Sequence, residues 1–316
     1  MYFEVSGVQI SPVLPFLFAF LVSFFTSMGG VSGAFLVLPF QVSVLGFTGP
    51  AVSSTNLVYN LVAIPSGVYR YIKEGRMAWP LACVIMVGTL PGVFMGAFIR
   101  IKYLLDPKHF KLFVGCVLLY IGLRLLYGLR QRNKITRQAS VRDDRYRKRK
   151  DKTIESLKPD TGHDVTIKTV AFSITDCTYS FYGETFSFNP FGLFMLTLAF
   201  GIIGGTYGIG GGSIIAPLLV AFWNLPVHTI AGATLLGTLS TSAFGVVFYM
   251  GIAPYFVHTG LAIRPDWLLG TLFGAGGFAG IYCGARLQKY MPAKTIKIIL
   301  ALVITILAAK YILDIF

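Results

Sequence analysis

Two glycine-rich interruptions carry the chemistry available to this sequence. The first reads Ser27-Met28-Gly29-Gly30-Val31-Ser32-Gly33, and the second reads Gly205-Thr206-Tyr207-Gly208-Ile209-Gly210-Gly211-Gly212 and is followed by Ser213. Each divides an apolar stretch into two short pieces, and a new apolar run begins directly after it, at Ala34 and at Ser213. A helix starting there presents free backbone N–H groups and about half a positive charge. Glycine permits close backbone approach and lets successive N–H groups converge on one oxygen. Such an end can hold an anion without any buried cationic side chain.

Hydroxyl and amide side chains follow in the next segment of each half. Asn56 and Asn60 share one helical face, as do Thr234, Thr238 and Ser242. The candidate substrate-binding set is therefore Ser27, Gly29, Gly30, Ser32, Gly33, Asn56 and Asn60 from the first half, with Tyr207, Gly208, Gly210, Gly211, Gly212, Ser213, Thr234 and Thr238 from the second. Serine and threonine can also bond to a preceding carbonyl of their own helix, so the asparagines are the sharper signal. Gly88, Gly92 and Gly96, and Gly274, Gly276, Gly277, Gly280 and Gly284, follow small-xxx-small spacing and are assigned to helix packing.

The acidic residues argue by their positions. All 13 Asp and Glu fall in loops or termini, so the apolar spans hold no carboxylate. Cation carriers and acid-based proton relays keep such groups at membrane depth, which disfavours both. The four cysteines are widely spaced and form no CxxC pair. No carboxylate dyad, HExxH or nucleophile with a placed base occurs in the spans, so neither an enzyme nor a metal or other cofactor is expected.

The elements that must position these residues are membrane helices. Of the 316 residues 55% are hydrophobic and only 13% charged, with a mean hydropathy of +0.70, which does not fit a water-exposed surface. Apolar segments fall at 12–26, 34–46, 51–72, 78–100 and 109–129, and again at 190–204, 213–224, 229–250, 267–286 and 295–315. In each set the last three reach the ~20 residues a crossing requires and the first two do not. Short pieces joined by a glycine run suggest a hairpin of two half-helices. Ser11-Pro12 and Asn189-Pro190 are helix-start signals, with an N-cap residue before proline in the first turn. The amino-terminal stretch has no basic residue before its first apolar run, so that run is expected to persist rather than to be cleaved as a signal peptide.

The two sets align as copies. Pro12 pairs with Pro190, Gly30 with Gly208, Gly33 with Gly211, Pro39 with Pro217, Asn56 with Thr234 and Gly67 with Gly245 at a constant offset, and Trp79, Gly88, Gly92 and Gly96 pair with Trp267, Gly276, Gly280 and Gly284 at a slightly larger one. The expected architecture is an all-α polytopic membrane protein of two homologous repeats, 11–129 and 189–316, each a broken-helix hairpin plus three transmembrane helices. The connecting loop, 130–188, holds eleven basic against three acidic residues between Arg130 and Lys152, and so the larger part of the net charge of +14. Beside membrane spans such a run marks a cytoplasmic loop, in reach of anionic lipid at 130–152, and no nucleic-acid recognition module accompanies it. An odd number of crossings per repeat inverts the second repeat, which puts Arg70, Lys73, Arg76, Arg286, Lys289, Lys294 and Lys297 on the cytoplasmic side and leaves Arg100, Lys102, Lys108 and Lys111 outside. Within the loop, alternation at 165–171 and the aromatic residues of 177–188 suggest a small cytoplasmic β-hairpin under the second repeat.

Gly208-Ile-Gly-Gly-Gly-Ser-Ile-Ile-Ala-Pro217 and its counterpart Gly29-Gly-Val-Ser-Gly-Ala-Phe-Leu-Val-Leu-Pro39 resemble the sulfite exporter TauE/SafE family. The resemblance covers nearly all of both repeats; the first has Val31-Ser32 where the second has Ile209-Gly210. It implies a multipass inner-membrane permease for sulfite, sulfoacetate or other organosulfonates. Residue chemistry alone points to a small oxyanion and leaves other small organic anions open. A second class of function is a membrane-anchored scaffold that recruits a partner through loop 130–188.

Overall fold

A computed structural model describes residues 1–28, 31–130, 167–173, 176–181, 184–223, 225, 227–287 and 293–313. A short antiparallel pair, β1 (Tyr2–Phe3) and β2 (Val8–Gln9), precedes helices α1 (Val13–Met28), α2 (Ala34–Ser43), α3 (Ala51–Ala63), α4 (Pro65–Lys73), α5 (Trp79–Lys102) and α6 (Pro107–Arg130). Strands β3 (Lys168–Phe172), β4 (Cys177–Phe181) and β5 (Glu184–Phe188) form one antiparallel sheet in that order. Helices α7 (Pro190–Tyr207), α8 (Gly212–Trp223) and α9 (Val227–Ile252) follow, then a 3-10 turn at Ala253–Thr259, α10 (Trp267–Leu287) and α11 (Ala293–Leu313).

Among the described residues four helical stretches are long and apolar enough to cross a bilayer: Trp79–Lys102, Pro190–Tyr207, Thr229–Phe256 and Trp267–Gly284. Val87, Met95, Phe98, Phe191, Met195, Val247 and Phe278 on these helices point outward, as lipid-facing side chains do. Two expectations change. The run 51–72 is not one crossing helix, because Pro65 has no N–H to continue the ladder and the chain divides into α3 and α4. The run 190–204 is not a short piece, because α7 continues through Gly204 and Gly205 to Tyr207. It starts as its sequence implies: the Asn189 side chain accepts from Gly192 N at 2.8 Å, with Pro190 in the first turn.

The helices pack in cross-partnered pairs. α1 lies along α10 and α7 lies along α5, α3 packs on α10 and α9 on α5, and α3 meets α9 while α6 meets α11. Spaced glycines set the first two contacts. A Cβ at Gly276, Gly280 or Gly284 would overlap the carbonyl oxygens of Phe16, Phe20 and Phe24 in turn, and one at Gly88, Gly92 or Gly96 would overlap Thr197, Leu198 and Ile202. Between membrane helices the burial of apolar area gives little drive, so this close backbone approach supplies much of the association.

The expected hairpin is present, extended to a sheet of three antiparallel strands. β3 is exposed along its length, while Cys177, Tyr179 and Phe181 of β4 and Phe186 and Phe188 of β5 are buried. The aromatic part of the segment therefore makes the packing face. That face meets Tyr71, Met77 and Leu81 as well as Ile215, Leu225 and Ile230, so it sits under both halves of the chain. Tyr179 pairs its hydroxyl with Thr229 Oγ1 at 2.9 Å, and burial raises the phenol pKa.

The loops gather at two ends. The sheet, the 74–78 turn and Leu225 lie together, with Ile167 N donating to Gly75 O at 3.0 Å. The amino-terminal residues and the loops 44–50, 103–106 and 253–266 lie at the other end. There Ala51 N donates to Ala262 O, Ser54 Oγ to Ile263 O at 2.8 Å and Ser6 Oγ to Asp266 Oδ2 at 2.9 Å. Asp266 is buried but satisfied: it accepts from Ser6 and from Leu269 N at the start of α10.

Candidate anion site at the paired helix breaks

The two breaks and the two polar helices α3 and α9 meet inside the protein. Asn56 on α3 donates from Nδ2 to Ala34 O at 3.1 Å, in the first turn of α2, and to Gly208 O at 2.8 Å, at the end of α7. One turn on, Asn60 donates from Nδ2 to Ile209 O at 3.0 Å and to Ser242 Oγ at 3.1 Å, while its Oδ1 accepts from Ser32 Oγ at 2.7 Å. Tyr207 donates its hydroxyl proton to Phe35 O at 2.8 Å, and Ser53 Oγ donates to Tyr207 O at 3.3 Å. Each break is thus held by side chains from the opposite half.

The second break needs its glycines. Gly208 caps α7 with φ +88°, and Gly210 has φ +75°, a region in which a Cβ is strained. Gly208 is also pressed on the backbone of Ser53, and Gly212 on Thr234 O and Thr238. This contact draws the start of α8 onto α9. Gly211 N donates to Thr241 Oγ1 at 3.3 Å.

The first turn of α2 has no side-chain cap from its N-cap residue, Gly33. Ser32 Oγ accepts from Ala34 N at 3.3 Å. Gly33 is crowded by the Tyr59 hydroxyl, which pairs with Ser23 Oγ at 2.7 Å. Ser32, Asn56, Asn60, Tyr207, Thr234 and Thr238 are all fully or almost fully buried.

The proton of each candidate threonine is committed to its own helix. Thr234 Oγ1 donates to Ile230 O at 3.1 Å, and Thr238 Oγ1 to Thr234 O at 2.8 Å. Ser27 does not join the cluster; it bonds to Phe24 O at 3.2 Å and faces Gly284 of α10. Gly29 and Gly30 lie outside the described residues, as does the Ser213 side chain.

Three buried groups here escaped sequence reasoning. Gln41 lies on α2 with Nε2 donating to Asn56 Oδ1 at 3.5 Å and Oε1 without a hydrogen-bond partner. It is the one amide side chain in the apolar run 34–46, which was the available signal. Ser23 and Tyr59 brace Gly33, but an isolated serine and tyrosine in apolar helices give no such sign.

No carboxylate lies in any described helix. Neutral amides and hydroxyls surround helix starts whose N–H groups carry partial positive charge, a setting that suits an anion.

Curated proteins are similar in sequence to this chain along most of their length. A probable membrane transporter protein from Xylella fastidiosa (strain 9a5c) is 24% identical over 282 residues, covering 86% of this chain and 83% of the relative. One from Xylella fastidiosa (strain Temecula1 / ATCC 700964) is 22% identical over 275 residues, with 86% and 83% covered. The probable membrane transporter protein YunE of Bacillus subtilis (strain 168) is 21% identical over 262 residues, with 82% and 80% covered. No solved structure matches. The family profile described as sulfite exporter TauE/SafE matches residues 15–311, and with nearly the whole chain covered, this membrane protein belongs to that transporter family.

Proposed function

We propose that this transporter carries small sulfur-containing oxyanions, such as sulfite, sulfoacetate or other organosulfonates, across the cell inner membrane around one central anion site at the starts of α2 and α8. The observation that carries the reading is the pair of hydrogen bonds that Asn56 Nδ2 donates to Ala34 O and Gly208 O, which ties the two breaks into one unit. In this reading the N–H groups around Ser32, Gly33 and Gly210–Gly212 bind the anion, Asn56 and Asn60 hold those backbones in register, and Thr234 and Thr238 line the site. Family membership favours sulfur; the residue chemistry favours only a small oxyanion.

The transport cycle in this reading is a rocking of two inverted repeats, 11–129 against 189–316. Two facts support it. The helix contacts come in exchanged pairs, α1 with α10 and α7 with α5, as a pseudo-two-fold relation requires. Corresponding loops also lie at opposite ends, 74–78 beside the sheet and 253–266 beside the amino-terminal residues. The buried cluster corresponds to a closed state, and opening it on either side parts the contacts between α3 and α9.

The test is flux in proteoliposomes across a panel of sulfite, sulfoacetate, methanesulfonate, acetate and chloride, with Asn56→Ala and Thr234→Ala beside the wild type. Flux of the sulfur oxyanions that falls in both variants supports the reading. Unchanged flux and affinity in both variants would overturn the site, and selective flux of acetate would overturn the substrate class.

A further inference from the structure

Arg100, near the end of α5, is a cation that the protein encloses. Its relative exposure is 0%, although an arginine at a helix end ordinarily snorkels to water. The guanidinium donates to Leu104 O and to Thr48 O, the latter at 3.1 Å, and stands 3.7 Å over the Phe110 ring. Two carbonyl dipoles and a ring face stabilise the charge but do not neutralise it. Among the described residues the ion pairs are Arg70–Glu74, Arg76–Glu74 and His109–Asp106, so no carboxylate answers Arg100. A buried charge without a counterion is strongly unfavourable.

Two donors are left over at the same place. Arg100 Nε is buried without a hydrogen-bond partner, and so is the hydroxyl of Tyr249 on α9, which packs in one buried cluster with Ala97 and Ile101, the α5 residues on either side of Arg100. Tyr249 lies beside Ser53, whose hydroxyl bonds to Tyr207 O and whose backbone presses on Gly208. The cluster therefore joins the helix breaks through one residue.

We propose that Arg100 Nε and the Tyr249 hydroxyl form a second anion site, selective for a small oxyanion that supplies the missing negative charge and accepts from both donors. The planar guanidinium favours an oxyanion with two or more acceptor oxygens over a spherical halide. The site sits at the end that holds loops 44–50, 103–106 and 253–266, one residue removed from the breaks, so it is an outer station on the way to them. Its place on the transport path rests on the proposed function; the binding itself does not.

The test is binding to the full chain purified in detergent, in a gluconate background, with sulfite, methanesulfonate or chloride as titrant and with calorimetry and melting temperature as readouts. Arg100→Gln and Arg100→Lys remove the charge and the fork respectively, and Tyr249→Phe removes one hydroxyl and nothing else. Loss of a charge-assisted bond corresponds to about tenfold or more in Kd. The expected result is such a loss of sulfite and methanesulfonate affinity in Arg100→Gln, a smaller loss in Arg100→Lys, and a loss of about threefold or more in Tyr249→Phe with its melting temperature kept. If Arg100→Gln does not fold, Tyr249→Phe decides alone. Unchanged Kd in the folded variants would show Arg100 to be a structural brace and overturn the proposal. Chloride bound as tightly as the oxyanions, and lost with Tyr249→Phe, would overturn the ligand class. Oxyanion binding that depends on Tyr249 in a protein without sulfonate flux would leave the site standing and remove only the transport reading.

Discussion

Ser32 donates its hydroxyl proton to Asn60 Oδ1 at 2.7 Å, and Asn60 gives both of its own amide protons to the other half of the chain. The side chain just before α2 is thereby coupled, through one amide, to the backbone of the second break. Asn56 repeats the relation one helical turn away. Both amides are saturated with protein partners, so their part in the proposed site is to position backbone donors.

That role separates two substitutions at Asn56. Asn56→Ala removes two donors; Ala34 O keeps its partner in the α2 ladder, while Gly208 O, beyond the end of α7, loses its side-chain donor, at a cost of about 1–3 kcal/mol. Asn56→Asp keeps the shape but sets a carboxylate against Ala34 O and Gly208 O. The aspartate variant is expected to lose more melting temperature and more flux than the alanine variant. Equal behaviour in a thermal melt and a flux assay would mean that the two carbonyl bonds are not what Asn56 supplies.

Thr234 offers a contrast, because its hydroxyl proton returns to Ile230 O on its own helix. Thr234→Val removes an oxygen without orphaning a tertiary partner. We expect KM for the carried anion to rise by about threefold to tenfold, as for one lost hydrogen bond, with the melting temperature nearly unchanged. A fall in stability with KM kept would place Thr234 in packing alone.

The glycines make a graded series. Gly208→Ala meets both a positive φ and the Ser53 backbone, and Gly280→Ala meets Phe20 O and Ser23 across the α1–α10 contact. Both variants are expected to lose several degrees or the folded state. Gly251→Ala, where no atom lies within 4 Å of the new Cβ, is expected to be neutral or to gain up to about 1 kcal/mol from helix propensity. Detergent melts of the three variants check the order.

Much of this was open to sequence reading because it follows from local rules. The Asn189-Pro190 start, the glycine spacing of α5 and α10 and the paired breaks depend on residue type and period alone. The sheet was half legible: alternation announced strands, but the aromatic segment rather than the alternating one makes its buried face. Pro65 was overlooked because hydropathy averages over a proline that divides α3 from α4. The unpartnered polar atoms Gln41 Oε1, Arg100 Nε and the Tyr249 hydroxyl are properties of tertiary placement. Arg100 in particular was counted as a charge beside a membrane face, and only packing around Phe110 shows it enclosed.

The inverted arrangement predicts which loops face the same solvent. The 253–266 loop lies with the amino-terminal residues, and the 74–78 turn lies with the sheet. In a protein cleared of its four cysteines, Tyr255→Cys is expected to react with a membrane-impermeant thiol reagent added outside intact cells, and Lys73→Cys only after lysis. Labelling of both from outside would break the inverted topology.

Loop 130–188 separates the transport reading from the scaffold alternative. A scaffold that recruits a partner through its basic run requires that run, whereas the site proposed for transport draws on no residue between Arg130 and Asn189. The buried face of the sheet, from Cys177 to Phe188, packs under both halves and belongs to the fold, so a fair deletion must spare it. Removing 134–160 takes out ten of the loop's 13 Lys and Arg and none of that face. The shortened chain is expected to keep sulfonate flux within about twofold of the full chain in proteoliposomes, while losing affinity for anionic vesicles, since each basic residue near such a surface contributes about 1 kcal/mol. Flux abolished in a variant that melts like the full chain would tie transport to the loop and overturn the assignment of the site to the two repeats alone.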